Sequence, residues 1–72
     1  MTRQECDKKL LDLVERAYAI VREFDPEASH VDLFASGNGC CAMSYKGPPG
    51  ERERLTNAYR SPDGDDHYSR EV

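Results

Sequence analysis

Residues 2–24, TRQECDKKLLDLVERAYAIVREF, predict a helix with a legible start, apolar face and stop. Thr2-Arg3-Gln4-Glu5 fits a capping box, in which the Thr2 hydroxyl accepts from the backbone N–H of Glu5 and the Glu5 carboxylate accepts from that of Thr2. At 100° per residue, Cys6, Leu13, Val14, Ala17, Ile20, Val21 and Phe24 all fall within about 80° of Leu10, while Leu11 and Tyr18 widen one edge. That side is expected to be core. The opposite side carries Lys8, Lys9, Asp12, Glu15, Arg16, Arg22 and Glu23, with Glu5/Lys9 and Asp12/Arg16 at the favourable i,i+4 spacing, and reads as a solvated face. Asp25-Pro26 stops the helix, because proline disfavours helical geometry in the residue before it and suits the second position of a turn from Asp25 to Ala28. At about 1.5 Å per residue the helix would be roughly 33 Å long, a large fraction of so small a protein.

Beyond the helix the chain reads as strands. In His30-Val31-Asp32-Leu33-Phe34-Ala35-Ser36, Val31, Leu33 and Ala35 take one face and His30, Asp32, Phe34 and Ser36 the other. Gly37-Asn38-Gly39 supplies residues that tolerate positive φ, so residues 30–36 and 40–46 form a hairpin with Cys41, Met43 and Tyr45 on a common face. The turn length decides which face meets the helix, and the sequence leaves that open. Gly47-Pro48-Pro49-Gly50 is a firm break. Residues 51–59 suit either a helical face of Leu55, Ala58 and Tyr59 or a strand face of Glu53, Leu55, Asn57 and Tyr59. A third strand at 53–59 is preferred, because a two-stranded hairpin offers a long helix too little cover. Residues 61–66, SPDGDD, read as an acidic turn within a tail spanning 61–72, whose last residues are expected to be mobile. The expected fold is therefore α+β: one domain over residues 1–72, with one long helix on an antiparallel sheet of two or three strands in the order α-β-β-β.

Composition narrows the function. Seventy-two residues bury a modest core, and small scaffolds of this size lean on disulfides, a metal or self-association. Cys6, Cys40 and Cys41 are an odd set without framework spacing, which points to reduced thiols. No apolar run approaches the roughly 18 residues of a membrane span and the start reads straight into a capped helix, so a cytoplasmic protein with no membrane partner is expected. The net charge of −4 is concentrated late in the chain, at Asp63, Asp65, Asp66 and Glu71, and no basic stripe exists to neutralise phosphates, so direct nucleic-acid binding is disfavoured.

Several motifs resemble chemistry without completing it. Gly37-Asn38-Gly39-Cys40-Cys41-Ala42 fits a loose dinucleotide fingerprint, but strand-like residues come next where a helix N-terminus must face the pyrophosphate. Adjacent Cys40 and Cys41 point to opposite strand faces, and a metal site would have to recruit Cys6, His30 or His67 from far along the chain. A thiol site would need a base such as His30 across the hairpin. Asp63-Gly64-Asp65-Asp66 places its glycine second, where a calcium loop of the EF-hand type needs it sixth. Gly47-Pro48-Pro49-Gly50-Glu51-Arg52 holds two collagen-like triplets and then loses the period. No catalytic, cofactor-binding or metal-binding residues, and no small-molecule substrate, are assigned.

Met1 to Leu11, Phe24-Asp25-Pro26-Glu27 and Asn57-Ala58-Tyr59-Arg60 together resemble a group of uncharacterised short proteins encoded in prophages and other mobile elements of gut Firmicutes, which begin with one helix and continue in strands. The resemblance implies an origin in a mobile element and carries over no functional residues.

The apolar arc of the helix, from Ile20 to Leu11, spans about 180°, wider than the ~100° that packing on one sheet needs. Either the C-terminal segment folds back over Leu11 and Tyr18, or these two join a homodimer or partner interface. The expectation is a non-enzymatic accessory protein acting by protein–protein contact or self-association. Leu11, Tyr18, Tyr59, Asp63, Asp65 and Asp66 are the candidate interface residues. Two alternatives stand beside it: an anti-defence inhibitor whose acidic tail imitates nucleic acid, and a thiol or metal site at Cys40 and Cys41.

Overall fold

Capping residues set where the chain first becomes regular. In the computed structural model, which describes residues 1–68, helix α1 spans Arg3–Phe24 with Thr2 as its N-cap. The Glu5 N–H donates to the Thr2 hydroxyl over 3.1 Å and the Thr2 N–H donates to the Glu5 carboxylate over 3.0 Å, closing the capping box. Those bonds hold the Glu5 carboxyl below its ordinary pKa. With Glu5 so engaged, the ion pair on the solvated face is Lys8–Asp12 at 3.0 Å, in place of the expected Glu5/Lys9 and Asp12/Arg16 pairs. At the other end the Ala28 N–H donates to the Asp25 carbonyl and the Glu27 N–H to the Asp25 carboxylate, so the stop is a turn held twice by Asp25.

The chain then lays down a four-stranded antiparallel meander: β1 (Ala28–Ser36), β2 (Gly39–Lys46), β3 (Glu53–Arg60) and β4 (Asp66–Tyr68), paired in that order. Class and helix-first order are as read from the sequence, and residues 53–60 form a strand instead of a helix. The strand β4 was not expected. The acidic turn is tight enough to bring it back, because the Gly64 N–H donates to the Ser61 carbonyl and the Ser61 N–H to the Asp65 carbonyl, both over 2.9 Å. The expectations for residues 69–72, Glu71 included, lie outside the described residues.

At the first hairpin the positive φ falls on Gly39, at +116°, while Gly37 and Asn38 stay negative, a turn followed by one residue of opposite hand. This turn sets the register, with Val31 opposite Ser44, Leu33 opposite Ala42 and Ala35 opposite Cys40. Across β2 and β3, Ser44 faces Thr56, Ala42 faces Ala58 and Cys40 faces Arg60. An irregularity beside Tyr45 leaves Leu55 without a partner between Arg54 and Thr56. The proposed face of Glu53, Leu55, Asn57 and Tyr59 is therefore broken at Leu55.

The helix meets the sheet on the face of Val31, Leu33 and Ala35, chiefly above β1. The row Val31, Ser44, Thr56 lies under it, where Ser44 is fully buried and shares a hydrogen bond with the Thr56 hydroxyl. Ala28 beside it is 1% exposed. Lys46 closes this end, its ammonium 3.9 Å from Asp25, 4.0 Å from Glu27 and 3.8 Å from Glu53. The expected core does not extend further. Among the described residues Ala28 is the buried apolar one, and α1 has no buried residue; only Ala17, Tyr18 and Val21 are half-buried. Leu10, Leu13, Val14, Ile20 and Phe24 remain exposed because Ala42, Ser44, Thr56 and Ala58 are too small to fill the space between a 22-residue helix and the sheet.

Candidate functional site: an apolar groove under the helix

The uncovered half of the helix and the uncovered half of the sheet bound an open groove of about 700 Å³. One wall is Leu10, Leu13 and Val14 of α1. The floor is a single cross-strand row, Leu33 on β1, Ala42 on β2 and Ala58 on β3. Tyr68 of β4 ends that row as the far wall and is 72% exposed. Each position is dictated by strand alternation once the register is set, since residues paired across neighbouring strands share a face.

The rim is polar. Arg60 Nε donates to Asp66 Oδ1 over 2.5 Å and Arg60 Nη2 to Asp66 Oδ2 over 2.9 Å, a two-pronged pair between β3 and β4. Tyr68 donates its hydroxyl to the same carboxylate over 3.0 Å. These donors hold the Asp66 carboxyl down at about 2, the Arg60 bonds first among the causes, while the hydrogen bonds to Asp66, and after them its charge, push the Tyr68 phenol and the Arg60 guanidinium up.

The six residues singled out in the sequence do not converge on this groove. Leu11 is 70% exposed at the edge of the helix, away from the groove walls. Tyr18 is half-buried, with Arg22 donating to its hydroxyl over 3.3 Å and the guanidinium carbon 5.8 Å from its ring. The described part of the C-terminal segment does not fold back over these two; β4 extends the sheet instead. Tyr59 belongs to the opposite sheet face, where its hydroxyl donates to the Asn38 carbonyl over 2.8 Å and its ring stacks on His67 at 5.8 Å. Asp63 and Asp65 sit in the β3–β4 turn. Of the six, Tyr59 and Asp66 border the groove, Asp66 at the rim and already neutralised by Arg60.

Cys40 and Cys41 occupy opposite faces, as strand alternation requires, and Cys40 opens to the groove beside Ala42. Among the described residues no group of three or more His, Cys, Asp or Glu side chains is placed to hold a metal ion. No helix of the described residues is long and apolar enough to cross a membrane. No family model, curated protein or solved structure matches the chain.

Sequence reasoning missed Leu10, Leu13 and Val14 as surface residues because their periodicity is that of a core face. The signal that could have found them lies in the strands. Ala42 with Ser44, and Thr56 with Ala58, put four small side chains on one face, and a floor that shallow cannot cover a leucine-rich helix.

Proposed function

We propose that this is a non-enzymatic accessory protein that acts by protein–protein contact through the groove between α1 and the sheet. One observation carries the reading: an apolar wall and floor are left open inside a polar rim, the arrangement of a protein interface with a dry centre and a hydrated edge. The Arg60–Asp66 pair fits the same picture, since a charge already matched at the rim adds no unpaired charge when the groove is covered. The acidic-mimic alternative keeps Asp63 and Asp65 but loses the charge of Asp66, which is paired with Arg60 within the chain. Origin in a mobile element belongs to the same proposal and is tested by the genes that adjoin this one.

A photoreactive benzophenone side chain in place of Leu13 tests the function. Irradiated in a lysate of the source organism, it should give polypeptide adducts that are absent when the same group replaces Lys9 on the charged face. Adducts confined to small molecules or lipid, or equal labelling from both positions, would overturn the proposal.

A further inference from the structure

The groove admits a more specific occupant, named on the assumption that it is a protein-contact site. We infer that a second copy of this chain covers it, in a closed two-fold dimer in which the Leu10 and Leu13 side chains of each protomer enter the Ala42 and Ala58 floor of the other. Surface area carries the inference. The chain exposes 6030 Å², whereas a folded monomer of 8.2 kDa is expected to expose about 4,500 Å². Setting residues 69–72 aside at about 650 Å² still leaves an excess of roughly 900 Å². A stable protein interface removes about 800 Å² from each partner, so the excess is the amount that one dimer contact would bury. The radius of gyration agrees, at 13.7 Å against about 11 Å for a compact chain of this length.

Shape selects a copy of the same chain over a different partner. A two-fold contact requires one surface to carry both halves of the complementarity. Here the protruding part, Leu10 and Leu13, and the receiving part, the shallow row through Ala42 and Ala58, lie side by side on one groove. The reverse face of the sheet is a poorer candidate, because Phe34, Met43 and Tyr45 there alternate with Asp32, Asn57 and Arg54. A small apolar ligand could fill the volume yet would cover less of the excess surface than a second chain.

Light scattering on the purified chain at about 100 µM tests this, a concentration at which a dimer with a micromolar Kd is largely assembled. The expected mass is twice 8.2 kDa. Leu13→Glu and Ala42→Arg should each weaken the dimer at least tenfold while circular dichroism retains the helix, and Lys9→Ala should leave it intact. A monomeric wild-type chain, an open-ended series of larger species, or a small molecule that copurifies in the groove would each overturn the inference. So would a Leu13→Glu chain that keeps its helix and stays dimeric. The photoreactive group at position 13 separates this failure from failure of the functional reading: a monomer that still labels a different protein loses only the dimer, whereas a monomer that labels no protein loses both.

Discussion

At the scale of single residues the sharpest chemistry is the Arg60, Asp66 and Tyr68 cluster, which ties the short strand β4 to β3. Asp66 has a carboxyl pKa lowered in the folded chain to about 2. Its contribution to stability is therefore complete above the ordinary carboxylate value and is lost as pH falls through about 2, so the β3–β4 hairpin should hold at pH 5 and loosen between about pH 4 and 2. Carboxyl-carbon NMR should place the Asp66 midpoint near 2 in the native chain and near 4 in Arg60→Gln; a native midpoint near 4 would mean that the pair does not form in solution. Tyr68 works in the opposite sense, its raised phenol keeping the donated proton until the pH is well above neutral. Gly39 supplies a second residue-scale prediction. A methyl there would run into the Arg60 carbonyl and lie 3.0 Å from the Tyr59 ring, at a φ that side chains resist. Gly39→Ala should cost about 1–3 kcal/mol, read as a lower denaturation midpoint, and a change under 0.5 kcal/mol would show that the turn can relax.

The elements differ in how far the sequence foretold them, and the reason is locality. Thr2 with Glu5, the Asp25-Pro26 stop and the strand alternation of residues 30–36 each depend on neighbours within four positions, so each could be read from the chain. Strand β4 has three residues and no periodicity; it exists because Arg60 and Ala58 offer Asp66 and Tyr68 partners across a turn. The groove was hidden for a related cause. Helical periodicity tells which residues share a face but not whether anything large enough stands opposite, and the small Ala42 and Ala58 answer that only after register is known. A partly docked helix has a dynamic consequence. Only its C-terminal third, at Ala17, Tyr18 and Val21, leans on the sheet, so in monomeric Leu13→Glu the first three turns rest mainly on the capping box. Thr2→Ala in that background should reduce helical circular dichroism and speed amide exchange over residues 5–14. Its effect on the global unfolding midpoint should be small, although a cap is worth about 1 kcal/mol to the helix itself. Equal slowing of exchange along the whole helix would show the N-terminal half to be docked after all.

Across the whole molecule, stability and assembly become one quantity. Among the described residues only Ala28 and Ser44 are fully buried, which gives few interior contacts to offset the entropy of ordering. Burying the Leu10, Leu13 and Val14 wall between two copies would supply what the monomer lacks, and the folded state would then be a bimolecular product. Its melting temperature must in that case rise with protein concentration, because dilution favours two unfolded chains over one folded dimer. With an unfolding enthalpy near 0.7 kcal/mol per residue over two chains, a tenfold rise in concentration should raise Tm by about 5 °C. Leu13→Glu should melt lower and at a temperature independent of concentration. Scanning calorimetry across two decades of concentration distinguishes the cases: a flat Tm in the native chain would mean that the small interior suffices alone and that the groove is a surface the folded monomer keeps open.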